Sequence, residues 1–160
     1  MEHFMKNLLL GLMTFILMFI FSGCENKKGT FLEIVNSQNS HEQSVLKLQN
    51  IIRDQGLTLF DTIDHQANAT TVKLDLKPTT VVVFGNPKMG TVLMNCNPTM
   101  GLELPLRILI STDYEGLTTF TYTNPEYWSL KHNIKDKNCL SILQKAKGAL
   151  ADLTEKSSQK

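Results

Sequence analysis

Asp64 and His65 are neighbours at the end of an apolar run, and a carboxylate beside an imidazole can orient a general base or a metal ligand. Nothing else in the chain completes that chemistry: there is no HExxH pair, no CxxC and no second His close by. The plainer reading is a structural His that hydrogen-bonds the turn after its strand. Gly85 to Gly90 fits G-x-x-x-x-G, but Thr91 and Val92 follow where a P-loop needs Lys and then Ser or Thr, which argues against nucleotide hydrolysis. A helix starting there could still hold a small anion near Lys88. The alternative is a well-capped turn, with Asn86 as N-cap and Pro87 at the first helical position. Arg107 lies farther along and keeps its charge at any ordinary pH, so it could serve as an anion partner. Asp64, His65, Asn86, Lys88 and Arg107 therefore form the candidate ligand-binding set. If the strands ending at Ile63 and Phe84 are parallel neighbours, their turns share one sheet edge, where ligands often bind. If the strands are antiparallel, the turns lie at opposite ends.

Two further groups carry reactive or anchoring side chains. Cys96 and Cys139 could pair in an oxidising compartment. Both also lie on apolar helical stripes, where a free Cys behaves as a small hydrophobe. Asn124-Pro125-Glu126-Tyr127-Trp128 places the single Trp beside a Tyr, either as an interface anchor or as cover for a core edge. No Ser-His-Asp order and no G-x-S-x-G elbow is present.

These residues need elements to hold them. Phe31–Val35 and Leu57–Ile63 read as strands, and Thr79–Phe84, unbroken in its apolar character, reads as a strand covered on both faces. Ser40 with Gln43 makes a capping box for a helix reaching about Gln55, with Val45, Leu48 and Ile52 on its stripe. Asp64–Leu76 is polar, with room for a short helix. Pro87 to about Asn95 is a short helix stopped by Asn97-Pro98. Leu104, Leu106, Ile108 and Ile110 alternate as a half-buried strand, and Pro105 suggests an edge position or a bulge. Asp113–Gly116 turns a hairpin into Leu117–Thr123. Asn124-Pro125 opens another short helix, and a last helix runs from about Asp136 to Leu153. The expected fold is α+β: a single domain with a mostly antiparallel or mixed sheet of about five strands packed against helices.

Several separate stretches carry a resemblance. IDHQANA at Ile63–Ala69, PTTVVVFGNPKMGTVLM at Pro78–Met94, PTMGLELPLRIL at Pro98–Leu109, Tyr122-x-Asn124-Pro125 and His132 follow in this order. Together, over roughly Phe31 to Leu153, the chain resembles the bacterial domain of unknown function 302 family. The resemblance implies an α+β domain that tends to form homodimers; it brings no catalytic residues, and the cofactor is unknown. Lys73 and Cys96 depart from the family pattern, where Gly and a small or polar residue are usual.

The N-terminus gives the location. Lys6 precedes an apolar run from Leu8 to Phe21, and Phe21-Ser22-Gly23-Cys24 resembles a lipoprotein cleavage site, with Phe21 where Leu is usual. Residues 1–23 then form a signal peptide, Cys24 the lipidation site, 24–29 a tether, 30–153 the domain and 154–160 a disordered tail. Two acyl groups make a stable anchor. An uncleaved transmembrane anchor is the alternative, and both place the domain in the cell envelope, outside the cytoplasm. Cleavage removes one Lys and one Glu, so the net charge stays at +1, which argues against a nucleic-acid partner. The sequence thus points to a membrane-anchored envelope lipoprotein that binds a small ligand or a partner protein. The alternative is a metal- or cofactor-dependent enzyme using Asp64-His65.

Overall fold

The computed structural model describes residues 31–160. The expected signal peptide, the tether and Cys24 lie outside the described residues. Five strands, β1 (Leu32–Asn36), β2 (Thr58–Asp64), β3 (Thr79–Gly85), β4 (Leu106–Thr112) and β5 (Thr118–Thr123), form one antiparallel sheet in the order β1-β5-β4-β3-β2. The helices are α1 (His41–Asp54), α2 (His65–Thr71), α3 (Pro87–Cys96), α4 (Trp128–Lys131) and α5 (Lys137–Ser158), with 3-10 turns at Pro98–Leu102 and Pro125–Tyr127. The α+β expectation is met.

Local chemistry sets the helix starts. The Ser40 side chain accepts from the Gln43 amide while the Gln43 side chain accepts from the Ser40 amide, a complete capping box. Asp64, Asn86 and Asp136 cap α2, α3 and α5 through their side-chain oxygens. Gly56 ends α1 with φ +69°, a backbone state that a side chain would resist.

The core lies between one face of the sheet and the helices. Val82 and Phe84 of β3, Ile108 and Ile110 of β4, and Phe120 of β5 are fully buried. They meet Leu48 and Ile52 of α1 and Leu143, Leu150 and Leu153 of α5. Each such side chain contributes roughly 1.5–3 kcal/mol by leaving water. Among the described residues, the side chains of the opposite face are half-buried or exposed. One row crosses all five strands there: Ile34, Thr121, Leu109, Val81 and Ile63 are successive register partners.

Three expectations need correction. β3 is not covered on both faces: Val82 and Phe84 are buried, whereas Val81 and Val83 are only half-buried. Valines in succession suit the pleat of either face, so their run does not report burial. β4 is the central strand rather than an edge, and Pro105 precedes it, so no ladder amide is lost. The expected tail at 154–160 is helical as far as Ser158, with Thr154, Ser157 and Ser158 buried. The Asn39 side chain donates to the carbonyls of Ser157 and Gln159, and the Gln38 amide donates to that of Ser158. These long-range partners hold a segment whose own sequence would fray.

Candidate functional site

A cavity of about 430 Å³ opens at the end of the sheet where β3 finishes and β2 and β4 begin. Its floor is Leu57, Gly85 and Leu106; its walls are α3, through Met89, Gly90 and Leu93, and α5, through Ile142, Ala146 and Ala149. The register shifts between Leu59 and Asp61, leaving Phe60 as an extra residue in β2. Such a bulge re-aims a side chain, and the half-exposed Phe60 ring comes to line the cavity beside Gly85. Gly85 does not have a positive φ; a Cβ there would meet Phe60 at 3.8 Å, an ordinary contact. Its small size matters as open floor rather than as backbone freedom. The few polar groups on the lining are Asn86, Thr91 and Lys145. A concave, mostly apolar site with sparse polar groups at this size is typical of small-molecule binding.

The sequence-based set does not converge. β2 and β3 are antiparallel, with Asp64 opposite Thr80 and Thr58 opposite Gly85. Asp64-His65 and Asn86-Lys88 thus lie at opposite ends of the pair, about 17 Å apart along the strands. Asp64 uses one carboxylate oxygen to accept the Ala67 amide at 2.9 Å. Among the described residues the His65 ring makes no hydrogen bond, so it is not held as the turn-bonding His that the plainer reading supposed. Asn86 reaches the cavity, but its side-chain oxygen accepts from the amides of Lys88 and Met89, at 3.0 and 3.3 Å. Lys88 is exposed in the first turn of α3. Arg107 sits on the open face of β4, where Nη2 donates to the Leu102 carbonyl at 3.1 Å.

A buried polar network surrounds His132, which sequence reasoning had noted only as part of the resemblance. Glu103 Oε1 accepts from Lys131 Nζ at 2.7 Å and lies 3.0 Å from His132 Nε2. The other ring nitrogen lies 2.7 Å from Thr99 Oγ1, and the Asn97 side chain donates to the His132 carbonyl at 2.8 Å. Thr99 Oγ1 also reaches Asn97 Oδ1 at 2.9 Å, and its single proton can go to only one of them. Burial alone would push the Glu103 carboxyl up; hydrogen bonds and charge from Lys131 and His132 outweigh it and hold the group below its ordinary value. The network ties the Pro98–Leu102 turn to α4. Trp128 is buried as a member of the core, in line with the core-edge reading. His41, in the first turn of α1, is half-buried, with Nε2 2.9 Å from Thr80 Oγ1.

Cys96 and Cys139 are disulfide-bonded, with Cα atoms 6.8 Å apart. The helical stripes that suggested two free hydrophobes are real for Cys139, which is fully buried, but Cys96 is exposed at the end of α3. The bond joins the last residue of α3 to the first turn of α5, the two helices that wall the cavity.

Fold and site together define a two-layer α+β domain with a built apolar cavity at one end of its sheet. The family model for "Domain of unknown function DUF302" matches residues 33–155, and the chain belongs to that family. A crystal structure of an uncharacterized conserved DUF302 protein from Bacillus stearothermophilus superposes with TM-score 0.72 at 17% identity, over 81% of this chain and 99% of that one. That likeness establishes the shared fold. The chain is also 34% identical over 103 residues to the fluoride-specific ion channel FluC 1 of Brucella suis, covering 64% of this chain and 41% of that protein. FluC 2 of Brucella melitensis matches at 34% over the same length, 38% of that protein. The chain thus spans about two-fifths of the curated relatives it matches.

Proposed function

We propose that this is a ligand-binding domain that takes one apolar small molecule into the cavity between α3, α5 and the sheet, and is held at a membrane in the cell envelope by a lipid on Cys24. The observation that carries the reading is the cavity of about 430 Å³, walled by Met, Leu, Ile and Ala side chains. Exposed Lys145 at its rim favours a ligand whose polar or anionic end remains in water. Similarity to proteins named as ion channels supports a setting at a membrane rather than conduction by this domain. Most of each relative lies outside the match, and no described helix is long and apolar enough to cross a membrane. The enzyme reading on Asp64-His65 is not favoured, because no ligand set converges there among the described residues.

The partner proposed for the open sheet face is a second copy of this chain. Ile34 is 63% exposed there and Leu32 49%. Asp61 and Arg107 flank Val83 on the same face, so a two-fold copy could set each acid against the other copy's base.

The test of the cavity uses a neutral fluorescent probe, N-phenylnaphthylamine. Saturable binding at one site per chain is expected, and Gly90→Leu should abolish it by filling the space beside Leu104 while thermal stability holds. Non-saturable fluorescence, or unchanged binding by a folded Gly90→Leu protein, would refute the assignment.

A further inference from the structure

We infer that Cys96, Cys139 and Asp136 form a transition-metal site when the disulfide is reduced, a function separate from the apolar cavity. In the oxidised protein the two sulfurs are bonded to each other, and one Asp136 carboxylate oxygen lies within 4.8 Å of both. Two sulfurs and a carboxylate oxygen suit zinc or cobalt(II) in tetrahedral geometry, with the fourth position open to water. Hard cations such as calcium and magnesium prefer oxygen alone.

The surrounding elements fit this chemistry. With metal–sulfur bonds of about 2.3 Å the two sulfurs would stand roughly 3.8 Å apart. A Cα separation of 6.8 Å accommodates that by side-chain rotation, without moving either helix. Asp136 caps α5 with Oδ1, which accepts the Cys139 amide at 2.9 Å, and its second oxygen is left for the ion. Two thiolates and a carboxylate around a divalent ion carry one net negative charge. They would sit at the N-terminus of the 22-residue α5, whose dipole favours that sign. Cys96 is exposed, so a reductant has access, whereas Cys139 is fully buried.

The chemistry balances. A phosphine takes the sulfur–sulfur bond to two thiols, using the hydrogens of one water, and leaves as its oxide. The metal then displaces one proton from each thiol. The site thus exchanges one cross-link between α3 and α5 for another, and the metal-loaded form keeps the two helices clamped.

The test uses the full chain carrying Cys24→Ser, in mild detergent, so that two of the three cysteines remain. After anaerobic reduction and removal of the phosphine, cobalt(II) is titrated. A thiolate-to-cobalt charge-transfer band and tetrahedral visible bands should saturate at one equivalent and be absent from the oxidised protein. Asp136→Asn retains a good N-cap, so it removes the carboxylate ligand without removing the cap; it should weaken binding at least tenfold while keeping the sulfur band. Reduced protein with unchanged circular dichroism and no sulfur band at one equivalent would overturn the site. Equal affinity in Asp136→Asn would overturn the three-ligand assignment.

Discussion

Breaking the Cys96–Cys139 bond should lower stability by an amount set mainly by the chain it encloses. The bridge spans a sequence separation of 43, and constraining a loop of that length in the unfolded chain contributes about 4 kcal/mol. For a domain spanning Phe31–Lys160, with an unfolding entropy of about 2.1 cal/mol/K per residue, this corresponds to a fall in Tm of about 15 °C. Cys96→Ala is the cleaner perturbation, because Cys96 is exposed at a helix end. Cys139→Ser would add the cost of a buried hydroxyl, since that residue is fully enclosed. Thermal circular dichroism of the oxidised, phosphine-reduced and Cys96→Ala proteins provides the comparison. The last two should melt together, well below the first. Drops smaller than about 3 °C in both would refute the loop-constraint argument.

Glu103→Gln should cost about 1.5–3 kcal/mol at neutral pH, by weakening the charged hydrogen bonds to Lys131 and His132. Because the folded carboxyl is held below its ordinary value of 4.5, its stabilisation is complete above that value and is lost as pH falls through the lower folded one. The penalty should therefore shrink in acid, and equal Tm differences at neutral and strongly acidic pH would contradict it. Cys24→Ser should block lipid labelling and leave unprocessed precursor; normal processing with membrane partition and no labelled lipid would exclude the lipoprotein reading. Ile34→Asp should move the protein from dimer to monomer in sedimentation, and an unchanged dimer would place the interface elsewhere.

The sequence was most legible where a local rule acts alone. The Ser40–Gln43 capping box, the Asn86-Pro87 helix start and the Asp113–Gly116 hairpin are decided by neighbouring residues, and each is found where expected. The cavity was not legible in the same way. Asn86 was singled out, but Phe60 reaches the lining through a bulge that no residue type announces, and Lys145 lies on a helix far along the chain. Glu103 escaped notice because a lone acid in a turn looks solvated until His132 and Lys131 are brought to it. The disulfide illustrates the same limit: spacing along two helices does not say whether their ends meet.

The chain enters the domain at Phe31, where its carbonyl accepts the Asn124 amide at 2.9 Å and its ring meets Tyr127 edge to face, centroids 4.5 Å apart. β1 runs antiparallel to β5, with Leu32 opposite Thr123, so this entry lies at the same end of the strands as Phe84, Leu106 and the cavity. An acyl group on Cys24 would be joined to that point by residues 24–30, which reach no farther than about 25 Å when fully stretched. On the proposed lipoprotein reading, the lipid would tether the domain through edge strand β1, at the cavity's end of the sheet. On that reading the tether's length would limit how far the cavity's end of the sheet can stand from a bilayer, and capture of a hydrophobic molecule would depend on that length as well as on affinity.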